Sequence, residues 1–135
     1  MNTYQHKVQY YETDQMGIVH HSNYIRWMEE ARMNFLSQIG WDYKKLEENG
    51  VISPVTAVDC KYKISTYFAD VIHISVKVEE FKGIKLKLGY VMKRGDEVVC
   101  EAHSEHCFLD KTGKIIPVKK KYPKFYEALK QLAEE

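Results

Sequence analysis

No run in the 135 residues approaches the roughly 20 apolar residues that a membrane-spanning helix needs, so no span is expected. The N-terminal stretch MNTYQHKVQYYETDQMG lacks the apolar core of a secretory signal, and a cytoplasmic location is expected. Cysteine is scarce. Cys60, Cys100 and Cys107 are an odd set with no Cys-x-x-Cys pair, which argues against a disulfide framework and fits a reducing compartment. An excess of one charge is also missing: 20 Lys and Arg against 19 Asp and Glu give a net +1. That balance argues against binding nucleic acid or a membrane surface by bulk charge. No G-x-G-x-x-G or G-x-x-x-x-G-K phosphate loop occurs. No G-x-S-x-G elbow occurs either, which argues against a serine hydrolase of the α/β type.

What is present is an ordinary globular composition, 44% hydrophobic and 29% charged, in a chain of one domain's length. Residues 1–135 are expected to form a single domain without linker or repeat. A Tyr- and Val-rich stretch at about 3–11 predicts a first strand. From Ser22 to Ile39 the residues Tyr24, Trp27, Met28, Ala31, Phe35 and Ile39 recur every three or four positions, which predicts a long helix ended by Gly40. A short helix is expected over Tyr43–Glu48. After it the period becomes two: Ile72, Ile74, Val76 and Val78 form one alternating run, and Ile84, Leu86, Leu88, Tyr90 and Met92 another. Short glycine-containing links separate these runs from Val98–Leu109 and from Ile115–Val118, predicting an antiparallel meander of four or five strands. An earlier strand is expected within Val51–Ser65, and a polar helix over Tyr122–Glu135. One long helix packed on a one-sided sheet is the single packing solution this order suggests.

The stretch ETDQMGIVHHSNY, Glu12 to Tyr24, joins the first strand to the long helix. Asp14 and Gly17 suit positions i and i+3 of a type I turn, which would bring the Asp14 carboxylate back toward the helix start. Ser22 or Asn23 is a candidate helix cap, with no Glu or Gln three residues on to close a capping box. The first helical turn carries no carboxylate, so its free N–H groups could face a ligand oxygen. Backbone donors beside a carboxylate suit attack on a carbonyl, since the amides stabilise a developing oxyanion and the acid activates water or attacks directly. Turn and cap chemistry alone also accounts for these residue types.

The run from Tyr11 to Tyr24, with Trp27, Glu30 and Arg32 following, resembles the 4-hydroxybenzoyl-CoA thioesterase family of hotdog-fold acyl-CoA thioesterases, and most of all its Tol–Pal-operon branch. The resemblance implies an α+β hotdog fold, one long central helix wrapped by a five- to six-stranded antiparallel sheet. It implies an acyl-CoA substrate hydrolysed to free acid and coenzyme A, with no cofactor beyond the coenzyme A of the substrate. Asp14 matches the family's catalytic aspartate, a general base or a nucleophile. His21 matches the position whose backbone N–H binds the thioester carbonyl, and Gly17 matches the turn glycine. Asn23 and Tyr24 match positions that shape the loop and pocket. His20 departs from the Tyr or Trp frequent at its place. The family's active site lies between subunits, which implies a homodimer or homotetramer. Two rival readings are a non-enzymatic acyl-CoA sensing module and a hotdog hydratase or dehydratase, although the His-Phe-Pro pattern of the latter is missing.

Other candidates have simpler explanations. Adjacent His20 and His21 diverge on most backbones and have no Cys or His partner at zinc-like spacing, so no metal site is expected. His103 and His106 fall on opposite faces of a strand. Glu29 and Glu30 are alternative helix acids, but Arg26 and Glu30 stand at i and i+4 as a surface pair. Lys119, Lys120 and Lys121, with Lys61 and Lys63, are a candidate phosphate-binding group.

Overall fold

The computed structural model describes residues 2–135. Its strands are β1 (Tyr4–Lys7), β2 (Val55–Tyr62), β3 (Val71–Phe81), β4 (Leu86–Arg94) and β5 (Glu97–His106). Its helices are α1 (Ser22–Gln38), α2 (Tyr43–Glu48), α3 (Val118–Lys121) and α4 (Pro123–Ala133). All five strands form one antiparallel sheet in the order β1-β3-β4-β5-β2. This is the hotdog arrangement: the sheet curves around α1.

α1 lies where the three-four spacing predicts it. Its stripe of Tyr24, Trp27, Met28, Ala31, Phe35 and Leu36 is buried. It ends in a Schellman motif: the Trp41 amide donates to the Leu36 carbonyl (2.9 Å), the Gly40 amide donates to Ser37 (3.1 Å), and Gly40 has φ of +84°. The sheet presents Ile72, Ile74, Val78, Leu88, Tyr90, Met92, Cys100 and Ala102 to the helix. Register places Ile74 opposite Met92 and Met92 opposite Cys100, so an apolar row runs across one face of three strands.

Several expectations are corrected. The meander holds only for β3-β4-β5. β2 precedes it in sequence but pairs with β5 at the far edge, while β1 pairs with β3. The first strand stops at Lys7, and a 3-10 turn occupies Tyr10–Glu12. Ile115–Val118 is not a strand: Ile115 makes one isolated bridge to Leu109, and beyond Pro117 the chain turns into α3. A proline cannot donate a ladder hydrogen bond, which fits the break there. α4 is amphipathic rather than polar. It buries Phe125, Tyr126 and Leu129, with Tyr126 5.7 Å from the Phe81 ring and Phe125 4.8 Å from Trp41. Arg26 and Glu30 do not pair. Arg32 is buried and takes Glu29 instead (2.9 Å), along with the Tyr43 hydroxyl (2.8 Å). Among the described residues no helix is long and apolar enough to cross a membrane.

As alternation predicts, His103 and His106 point to opposite faces. His103 meets Asp59 and Glu79 on the outer face (3.0 and 3.3 Å). His106 is 1% exposed, and its Nε2 lies 2.6 Å from Ser104 Oγ, which in turn meets the Tyr90 hydroxyl at 2.7 Å. Its Nδ1 has no partner in hydrogen-bond geometry among the described residues. Burial, and then the Arg32 charge, push its pKa down to about 3, opposed weakly by the nearby Pro54 carbonyl. Unfolded, the ring takes up a proton near pH 6.5. The unfolded state therefore binds more protons throughout that window, and stability falls as pH drops from about 6.5 toward 3. His106→Leu is expected to flatten the acid slope, by on the order of a few kcal/mol across the window, in urea unfolding compared at neutral pH and at about pH 4. An unchanged slope would show that carboxylates alone set acid stability.

Candidate active site

Residues 13–19 fold into a miniature hairpin between the 3-10 turn and α1. Thr13 and Val19 form a bridge, and the Asp14 amide donates to the Ile18 carbonyl at 2.8 Å. The expected turn is present: the Gly17 amide donates to the Asp14 carbonyl at 3.0 Å. Gly17 has φ of +81°, a left-handed conformation that favours glycine. The Asp14 side chain also braces the turn, with Oδ1 accepting from the Met16 amide at 2.8 Å. Among the described residues Oδ2 has no hydrogen-bond partner.

The helix start differs from expectation. Ser22 and Asn23 both lie inside the first turn of α1, and neither is its cap. His21 takes the cap position, and its side chain makes no capping bond. His20 does that work instead: its Nδ1 accepts from the Ser22 amide (3.2 Å) and sits 2.9 Å from the Ser22 hydroxyl. The His20 and His21 rings stack with centroids 4.3 Å apart. Asn23 is buried, and its Nδ2 donates to the Glu12 carbonyl (2.9 Å) and to the His20 carbonyl (3.3 Å). The His21 amide, by contrast, has no acceptor among the described residues. At a helix N-terminus such a donor adds to the positive dipole end.

Asp14 and His21 line one open cleft of about 240 Å³, together with Met16, Ile18, Tyr24 and Tyr62. Tyr24 is buried, and its hydroxyl meets Thr66 Oγ1 at 2.7 Å. Burial raises its pKa, so the phenol stays neutral. Tyr62, from the end of β2, packs edge-on against Tyr24 at 5.0 Å and donates its hydroxyl to the His21 carbonyl at 3.3 Å. Burial, and after it the Cys60 thiol, push its pKa up to about 12, which keeps the hydroxyl a donor. The cleft thus joins a carboxylate with a free oxygen, a free backbone donor and two aromatic walls.

Of the six sequence-derived residues, Asp14, His21 and Tyr24 line the cleft, Gly17 and His20 belong to the loop between Asp14 and α1, and Asn23 is buried beneath that loop. The lysine group is dispersed. Lys63 lines the cleft, its amide bonded to Val99. Lys119 instead sits over the Tyr126 ring, beside Phe81 at the opposite end of the sheet. Sequence reasoning missed Tyr62, Thr66 and Glu12. Tyr62 and Thr66 reach the site only through β2 and the loop after it. Glu12 sits in a 3-10 turn too short to show any periodicity.

A family model described as the thioesterase-like superfamily matches residues 8–131. An Aquifex aeolicus protein provisionally called an esterase is 38% identical over 117 residues, 87% of this chain and 91% of that protein. A Bacillus subtilis protein with the provisional name acyl-CoA thioesterase YneP is 35% identical over 124 residues, 90% of each chain. Among solved structures, a DHNA-CoA thioesterase from Staphylococcus aureus superposes with a TM-score of 0.94 at 27% identity, covering 98% of this chain and 91% of that one. The expected likeness to the Tol–Pal branch is distant: acyl-CoA thioesterase YbgC of Haemophilus influenzae is 26% identical over 113 residues.

Proposed function

The chain belongs to the thioesterase-like superfamily, and from that premise we propose that it is an acyl-CoA thioesterase built as a single hotdog domain, with Asp14 and the His21 amide as its catalytic groups. One observation carries the assignment: Asp14 and His21, each with a polar main-chain or side-chain group that has no partner among the described residues, line the same cleft. The His21 N–H donates to the thioester carbonyl oxygen and stabilises the charge that develops there. Asp14 takes a proton from water as the water oxygen attacks the carbonyl carbon. The C–S bond then breaks, and the proton passes to the departing sulfur, giving the carboxylic acid and the coenzyme A thiol. In the nucleophilic variant Asp14 attacks first, and water resolves the mixed anhydride.

The test is thiol release from short, long and aromatic acyl-CoAs. The aromatic members are included because the Staphylococcus aureus neighbour is a DHNA-CoA thioesterase and because Tyr24 and Tyr62 wall the cleft. Turnover of at least one thioester is expected. Tight coenzyme A binding without release from any of them would make the chain a binding module.

β2 supports a dimer with the site near its interface. It is an edge strand exposed along almost its whole length, with Val58 42% and Tyr62 45% exposed, and Ile25 of α1 is exposed as well. An unpaired apolar edge of this kind is covered when a second copy adds its own β2. Val58→Lys would place an unpaired charge in that contact, at a cost of about 3–5 kcal/mol. Size-exclusion chromatography is expected to show monomer, with loss of thiol release. A Val58→Lys protein that remains an active oligomer would mean that assembly uses another surface.

A further inference from the structure

We infer that Glu12 is a positioning residue that clamps the loop bearing Asp14 and His21 onto the first strand and the long helix; the inference rests on the roles proposed for those two residues. Glu12 is only 4% exposed, yet its carboxylate is well supplied with donors. Oε1 accepts from the Gln9 amide at 2.8 Å and lies 2.7 Å from His6 Nε2. Oε2 accepts from the Trp27 indole at 2.7 Å. Burial pushes this carboxyl up, but the Gln9 amide, the His6 ring and the Trp27 indole together hold it below the ordinary glutamate range. The other His6 nitrogen faces Glu30 at 3.4 Å. Three elements, β1, the 3-10 turn and α1, are thus tied through one side chain.

The backbone of the same residue closes the loop. Its carbonyl accepts from the His20 amide at 2.9 Å and from Asn23 Nδ2 at 2.9 Å. Glu12 lies two residues before Asp14, and His20 lies one residue before His21. The bond between them closes the base of the hairpin from which both reacting groups project. Fixing the Glu12 side chain by three donors therefore fixes both ends of the loop, and with them the spacing between the carboxylate and the free amide. An apolar residue at this place would leave the Gln9 amide and the Trp27 indole without their acceptor. A buried carboxylate with directed partners sets an orientation that packing alone would leave loose.

The experiment compares the wild type with Glu12→Gln, alone and in an Asp14→Asn background. It reads kcat and KM by thiol release and loop order by backbone ¹⁵N relaxation over residues 13–21. Glutamine keeps the size but loses the charge and one acceptor. A fall in kcat of about 10- to 100-fold is expected with KM within about threefold, since small misplacements of reacting groups cost rates of that order. In the Asp14→Asn background the same change is expected to cost clearly less than in the wild type, because one of the two positioned groups is already gone and only the His21 amide is left to be misplaced. Relaxation is expected to show residues 13–21 loosened while the sheet is unchanged. If Glu12→Gln does not fold, Trp27→Phe removes one donor to the same carboxylate and is read in the same way. A loop as ordered as the wild type, or an equal loss of rate in both backgrounds, overturns the inference. A separate outcome, Asp14→Asn at the wild-type rate, sinks the catalytic assignment itself, and loop order then decides Glu12 alone.

Discussion

Asp14→Asn is expected to reduce thiol release by about 10² to 10⁴-fold while leaving the fold intact. The structure explains why this substitution isolates the chemistry. Asp14 Oδ1 accepts the Met16 amide and braces the turn, whereas Oδ2 has no partner among the described residues. An asparagine can keep its carbonyl oxygen toward Met16 and place its NH₂ where Oδ2 stood. The turn bond from Gly17 to the Asp14 carbonyl involves only backbone and survives. What disappears is the capacity to take a proton or to attack carbon. The thermal midpoint is therefore expected to stay within a few degrees, and KM to change little. A variant that keeps more than about a tenth of the rate would assign the base elsewhere. Glu29 and Glu30 are the sequence's other nominees, but Glu29 is engaged with Arg32 at 2.9 Å and Glu30 faces His6 Nδ1 at 3.4 Å.

The largest loss of stability is expected at Trp27. Its side chain is fully buried, with ring centroids 4.7 Å from both Tyr24 and His6, and its indole nitrogen donates to Glu12. Trp27→Ala removes the largest side chain of the α1 stripe and leaves a cavity that the surrounding sheet cannot close completely. A loss of about 3–5 kcal/mol is expected in denaturant unfolding. Trp27→Phe keeps most of the packing and withdraws only the donor to a buried carboxylate, which predicts a smaller loss of about 1–3 kcal/mol. Equal effects of the two changes would mean that the hydrogen bond, not the ring volume, dominates at this position. Because the same indole holds Glu12, both variants are also expected to lower kcat.

Much of the fold was legible because its signals are local. The spacing from Tyr24 to Phe35 and the Gly40 stop define α1. The alternation from Ile72 to Val78 defines β3. The Asp14–Gly17 turn was readable for the same reason, since both of its partners lie within four residues. The helix cap was misread because Ser22 and Asn23 are favoured cap residues in isolation. Here Asn23 reaches back 11 residues to Glu12, and His20 takes over the amide of Ser22. The Lys119–Lys121 run looked like a partner for Lys61 and Lys63 only while the two ends of the sheet could not be told apart.

The sequence by itself determined a long amphipathic helix, an alternating antiparallel sheet, and a turn that carries an acid to a helix start. Each follows from side-chain period or from backbone preferences acting over a few residues. Tertiary structure decided the rest. It alone sent β2 past the meander to pair with β5, where Tyr62 meets His21. It alone chose Glu12, an unremarkable acid in the chain, as the residue held by His6 and Trp27. Those contacts join separate elements, His6 of β1 and Trp27 of α1 to the 3-10 turn, and Tyr62 of β2 to the start of α1. Strand order and the partners of a buried charge are settled by which surfaces bury each other, and no local pattern encodes that.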